Sequence, residues 1–175
     1  MNSFPAAILT SPYALRAIRD LDLDVLPQLF PECGIAGPSL SDRRTWLRQV
    51  ESIAWGKNPN IRLVMEESDT GRAIAGFTIE RHGDVVATLR YGFRPSTAMV
   101  QIAGFLLAKT LAFEELRLIA LRTDMISGQD PLAQIHDQIG FREAVRLKEF
   151  WRDTDNIAHD LITYEAVNPA WERPS

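Results

Sequence analysis

The clearest alternation of apolar and polar positions runs from Val85 to Phe93. Val85, Ala87, Leu89, Tyr91 and Phe93 face one way, and Val86, Thr88, Arg90 and Gly92 face the other. A period of two over nine residues predicts a strand, and Pro95 ends it. Two shorter runs precede it, Ile61 to Glu66 and Ala73 to Arg81, with turns expected at Ser68 to Arg72 and at His82-Gly83-Asp84. Together they predict a three-strand antiparallel meander. From Thr97 to Leu116 the chain is apolar almost all round, broken mainly by Gln101, Lys109, Thr110, Glu114 and Glu115. This describes a helix buried on more than one side and packed centrally on a sheet.

Upstream, Tyr13 to Ile18 reads as a strand, and Asp20 or Asp22 is placed to cap a helical stretch through Leu29 that Pro31 ends. Pro31 to Ser39 reads as a loop, and Ser41 as the cap of a helix carrying Trp46, Leu47, Val50, Ile53 and Ala54. Downstream, the pattern predicts a strand over Leu118 to Arg122 and a helix over Pro131 to Ile139 stopped by Gly140. A hairpin of Ala144 to Trp151 with Ile157 to Glu165 follows, and a loose tail is expected from Pro169.

Composition narrows the function classes. The chain of 175 residues, 46% hydrophobic and 24% charged, matches one globular domain, with a core expected from about residue 13 to 167. Nineteen Lys and Arg against 23 Asp and Glu would repel a phosphate backbone and offer no polybasic membrane anchor, so neither nucleic acid nor membrane is an expected partner. The one cysteine, Cys33, cannot close an internal disulfide, and no export or membrane signal is visible, which together predict a cytoplasmic protein. His82, His136 and His159 fall on separate elements without ligand spacing, so no metal site is expected.

The element order, together with certain residues near the C-terminus, resembles the GNAT superfamily of acyl-CoA-dependent N-acyltransferases. Ala112-Phe113-Glu114-Glu115-Leu116 before Leu118 to Arg122 looks like the end of that family's central helix and the strand after it. Gly140-Phe141-Arg142-Glu143, Leu147-Lys148-Glu149-Phe150-Trp151-Arg152 and Asp160 look like the branch acting on protein N-terminal amines and related primary amines. The fold class implied is α/β (α+β): a mixed, mostly antiparallel sheet whose parallel fourth and fifth strands, Val85 to Phe93 and Leu118 to Arg122, diverge.

The resemblance implies transfer of an acetyl or other acyl group from acyl-CoA to a small-molecule or peptide amine by direct attack, and it allows a homodimer. The strand backbone from Tyr91 to Phe93 would align the pantetheine, and Arg94, Ser96, Thr97, Ala98 and Met99 would meet the pyrophosphate. Here the chain departs from the family, because Thr97 and Met99 fill positions usually held by small residues. That departure supports a second reading, a GNAT-fold protein that has lost CoA and acts as a binding or interaction module. It also supports a third, an enzyme with a longer or carrier-bound acyl donor. Counting back from Phe141 places Gln129 where the family usually has a CoA-facing Asn, and His136 where it usually has a Tyr general acid. Histidine suits that role through its near-neutral pKa. Asp124, expected just beyond the fifth strand, is the candidate to deprotonate the amine through water, ahead of Glu80. Asp20, Asp22, Asp24 and Glu32 read as a solvated acidic helix start.

Overall fold

In a computed structural model, which describes residues 8–10, 12–31, 42–45, 47, 60–128 and 130–171, the strands form an eight-stranded sheet in the order β1-β2-β3-β4-β5-β6-β8-β7. The strands are β1 (Ile8–Thr10), β2 (Tyr13–Arg16), β3 (Asn60–Glu67), β4 (Ala73–His82), β5 (Val86–Phe93), β6 (Ala120–Ile126), β7 (Arg142–Arg152) and β8 (Ala158–Val167). Every neighbouring pair is antiparallel except β5 and β6. The helices are α1 (Leu26–Leu29), α2 (Ala98–Thr110), continued by a π turn over Leu111–Glu115, and α3 (Asp130–Gln138). The expected mixed sheet is present, and its parallel pair is fifth and sixth because β1 adds a strand at the start that the pattern did not reveal.

Alternation explains the layering. In β5, Ala87 and Leu89 are buried against α2, together with Phe77 and Ile79 of β4 and Leu121 and Met125 of β6. Phe105, Leu107, Ala108 and Leu111 close this core from the α2 side. Gly104 permits that approach, since a Cβ there would stand 2.8 Å from the Phe77 ring. A smaller cluster on the opposite face joins Leu23, Leu26, Leu29, Phe30 and Leu47 to Val64 and Ala73. Helices thus cover both faces near β3 and β4.

Several boundaries differ from the pattern-based reading. The stretch from Asp20 to Leu29 is a 3₁₀ turn at Asp20–Asp22 followed by the single-turn α1, whose Pro27 sits in its first turn, where no donor is needed. Asp22 is not solvated. It is wholly buried, and it accepts bonds from Arg16 Nη1 and Nη2 at 2.7 and 2.9 Å and from the Arg19 amide at 2.7 Å. Glu66 also takes Arg16 Nε, so a strand residue, a turn and β3 share one buried guanidinium. The expected central helix changes to π geometry at Leu111, and part of its apolar surface is not buried, as Leu106 and Met99 face solvent. The chain after Pro169 is held through Trp171, because Asn168 bonds the carbonyls of Phe113 and Leu118 and the Trp171 amide bonds Asn168. Of the helix expected after Ser41, residues 42–45 and 47 are described and helical, and the rest lies outside the described residues.

Candidate active site

The parallel pairing of β5 with β6 lasts three residues, Val86 to Ala120, Ala87 to Leu121 and Thr88 to Arg122. Beyond it, β5 continues to Phe93 bonded only to β4, and β6 continues to Ile126 bonded only to β8. One edge of β5 therefore presents main-chain groups without a strand partner. The strands part around a cleft of about 270 Å³ lined by Leu89, Arg90, Tyr91, Asp124, Met125, Ile126 and Pro31. Asp124 thus lies inside β6 and not in a loop after it, because the strand runs four residues past Arg122. Its exposed carboxylate accepts the Thr163 hydroxyl at 2.6 Å. Arg90, the other charge on the cleft, is paired with Glu80 at 2.8 Å, which leaves Glu80 in a strand-edge ion pair.

Behind Tyr91 stands His136. α3 presents Ile135, His136 and Ile139 to the core, and Gly140, at φ 85°, ends the helix in the left-handed conformation that glycine tolerates. The imidazole is fully buried among rings: Phe105 and Tyr164 at 5.0 Å, Phe141 at 5.6 Å and Tyr91 at 6.3 Å. Neither Nδ1 nor Nε2 has a hydrogen-bond partner. Burial lowers its pKa to about 4, against a smaller upward pull from Asp137, so the ring is neutral near pH 7. Burial also pushes the Tyr91 hydroxyl up to about 12, with Thr123 drawing it back and the Asp124 charge adding to the rise. His136 does not line the cleft itself. Tyr91 separates the two.

By sequence, no protein-family model and no curated protein matches the chain. Solved structures do. Ribosomal-protein-S5-alanine acetyltransferase from Vibrio fischeri superposes with a TM-score of 0.74 at 14% identity, over 97% of this chain and 100% of that one. Spermidine N-acetyltransferase from Vibrio cholerae, solved with CoA and spermine, gives 0.74 at 15% identity, over 91% and 97%. A GNAT-family acetyltransferase from Bacillus anthracis gives 0.71 at 10% identity, over 93% and 98%. The chain has the GNAT acetyltransferase fold.

Within that fold, the turn from β5 to α2 carries the residues that the resemblance offers as candidates to meet the pyrophosphate. The Arg94 amide bonds Ile74 O and its guanidinium bonds Ala73 O at 3.2 Å, so Arg94 fastens the turn to β4. Thr97 is the N-cap residue in extended conformation, with no side-chain cap, and Gln101 N is the amide that returns to Thr97 O. Hence the amides of Ala98, Met99 and Val100 precede the first intrahelical bond. The side chains of Thr97 and Met99 are turned to solvent, with Met99 72% exposed. Ser96 Oγ is buried without a partner at the same turn. The Phe93 ring lies inward, 5.6 Å from Phe105.

Gln129, Glu32 and Cys33 lie outside the described residues. Among the described residues, no three His, Cys, Asp or Glu side chains are grouped to hold a metal, and no helix is long and apolar enough to cross a membrane. The pattern-based reading missed Tyr164, Phe105 and Thr123 as neighbours of the site. Alternation in β8 marks Tyr164 as inward facing, but only the β6-β8 pairing brings it beside His136.

Proposed function

We propose that the chain is an acyl-CoA-dependent N-acyltransferase acting on a primary amine. The observation that carries the reading is the orphaned imidazole of His136. A buried polar group without partners costs stability, so its retention behind a cleft at diverging parallel strands calls for a chemical reason. The free edge of β5 at Leu89 to Phe93 suits an amide-bearing pantetheine arm, and the open amides at Ala98 to Val100 suit its pyrophosphate. Their fit to this donor is supported by the outward set of Thr97 and Met99.

In this reading Asp124 takes the proton of the incoming amine through water, and the amine nitrogen attacks the thioester carbonyl carbon directly. The carbon–sulfur bond then breaks. The developing thiolate, an anion near the buried ring, restores the basicity that burial removed, so His136 takes up the proton the amine has lost, and the Tyr91 hydroxyl, which stands between the ring and the cleft, gives its own proton to sulfur and is reprotonated from His136. No covalent enzyme intermediate forms. A second copy of the chain is the proposed assembly partner, supported by the exposed apolar residues of β7.

Release of free thiol from acetyl-CoA in the presence of a panel of primary amines tests the proposal. Turnover should fall about 10²-fold or more in His136→Ala, with donor affinity largely kept. If Tyr91→Phe removes turnover and His136→Ala does not, the acid is Tyr91. If neither acetyl-CoA nor a longer acyl-CoA binds at millimolar concentration, the module that has lost CoA is the correct reading.

A further inference from the structure

A second hollow, of about 570 Å³, opens far along α2 from the phosphate turn, between the π turn and the chain after β8. Its apolar wall is Leu106, Phe113, Pro169 and Ala170, and its polar rim is Lys109, Thr110, Glu114, Arg117 and Asn168. Two departures from regular backbone build it. The π turn at Leu111–Glu115 widens the helix end, a feature found often at functional sites. Arg117, at φ 56°, occupies the left-handed region that a non-glycine residue adopts at a cost.

Helix ends normally favour cations because their last carbonyls are unpaired, which would explain Lys109 and Arg117 without a ligand. Here three of those carbonyls are already occupied. Leu116 N bonds Leu111 O, Leu118 N bonds Ala112 O, and Asn168 Nδ2 bonds Phe113 O. Arg117 has no ion pair among the described residues. The Lys109 ammonium donates one bond, to Ile139 O, and so keeps two further donors. Burial alone lowers its pKa, a condition that a nearby anion relieves.

We propose that this hollow binds a small carboxylate with an apolar body, its head between Lys109 and Arg117 and its chain against Leu106, Phe113 and Pro169. Occupancy has a route to the candidate active site. Lys109 holds the carbonyl at the end of α3, its ammonium lies 5.9 Å from the Phe141 ring centre, and Phe141 packs 5.6 Å from His136. The effect on turnover rests on the acyl-transfer reading, whereas binding does not.

Calorimetric titration with octanoate, without any CoA present, tests the site. One saturable event is expected, with 1-octanol at least tenfold weaker. Arg117→Gly removes the cation while suiting the left-handed backbone, so it should weaken octanoate at least tenfold and keep or raise the melting temperature. Lys109→Met should weaken binding as well and shift the His136 ring resonances. No saturable binding at millimolar octanoate, equal binding of octanol, or unchanged affinity in a folded Arg117→Gly protein would each overturn the proposal. Octanoate binding by a protein that transfers no acyl group would uphold the site and remove the activity reading. Acyl transfer without octanoate binding would do the reverse.

Discussion

His136 and Arg16 show two ways in which a polar side chain survives burial. Arg16 is fully partnered by Asp22 and Glu66, so its charge is answered where it stands. Removing one partner strands the rest. Asp22→Ala should lower stability by about 3 to 5 kcal/mol, read from chemical denaturation. An unchanged midpoint would mean that water replaces the carboxylate. His136 has no such answer, and its two ring nitrogens are orphaned among aromatic rings. Phenylalanine fits that company better. His136→Phe should raise the melting temperature at pH 7 while abolishing turnover, a combination that a structural histidine would not give. The pH dependence follows from the same burial. With a folded pKa of about 4 and an ordinary value of 6.5, the unfolded chain binds more protons between those pH values, so stability falls as pH drops through that window. The loss amounts to about 2 to 3 kcal/mol by pH 4. Melts of wild type and His136→Phe from pH 7 to pH 4 should diverge steadily, and parallel curves would show the imidazole to be protonated or solvated already.

Among the elements, the short α1 owes its place to glycines on strands far from it in sequence. Gly76 of β4 and Gly92 of β5 face one another in register, and a Cβ at Gly76 would overlap the Leu29 carbonyl, while one at Gly92 would overlap those of Gln28 and Leu29. Gly92→Ala should therefore destabilise by about 1 to 3 kcal/mol or more and disturb the cleft wall at Pro31. A melting temperature equal to wild type would mean that α1 is free to shift. This contact was illegible in the sequence, because Gly92 reads there as one position in an alternating strand. β5 itself was legible, since alternation over eight residues has no helical equivalent, and so was α2, whose long apolar run ends on acidic residues. The 3₁₀ turn was not, because the buried partner of Asp22 lies on β2 and acid near a helix start ordinarily faces water. At the α2 N-terminus the side chains of Thr97 and Met99 read as obstruction, and only the folded turn reveals that both are exposed to solvent. Thr97→Gly with Met99→Gly should accordingly tighten CoA only slightly. A gain above tenfold by calorimetry would show that the side chains do obstruct the donor.

Across the whole molecule, the order of strands could be anticipated up to β6, where each neighbour in sequence is a neighbour in space. The last hairpin was legible as a pair, but its placement was not, because β8 inserts between β6 and β7 and leaves β7 at the edge. Every residue of β7 is exposed as a result. Val145, Leu147 and Trp151 pair with Thr163, Leu161 and His159, alternate residues of β8, so they share the face that also carries Asp124 and Ile126. Phe150 is 58% exposed, and Trp151 49%, on the same strand. Irregularities at Glu143/Val145 and Leu147/Trp151, with Glu149 at φ 50°, interrupt the outer edge and oppose continuous pairing with another strand. A second copy would instead pack side chains on this surface. Half-exposed aromatics and aliphatics there amount to several hundred Å², within reach of the roughly 800 Å² per partner of an ordinary interface once a charged rim is added. That rim holds both signs, with Arg142, Lys148 and Arg152 near Glu149 and Glu165, as a two-fold contact of one surface with itself requires. Sedimentation at tens of micromolar protein should give a dimer for wild type and a monomer for Phe150→Glu with Trp151→Glu. The melting temperature of the variant in dilute solution should be unchanged, because both side chains lie outside the core. A monomeric wild type, or a variant that stays dimeric, would place the subunit contact elsewhere and leave this face to the acceptor.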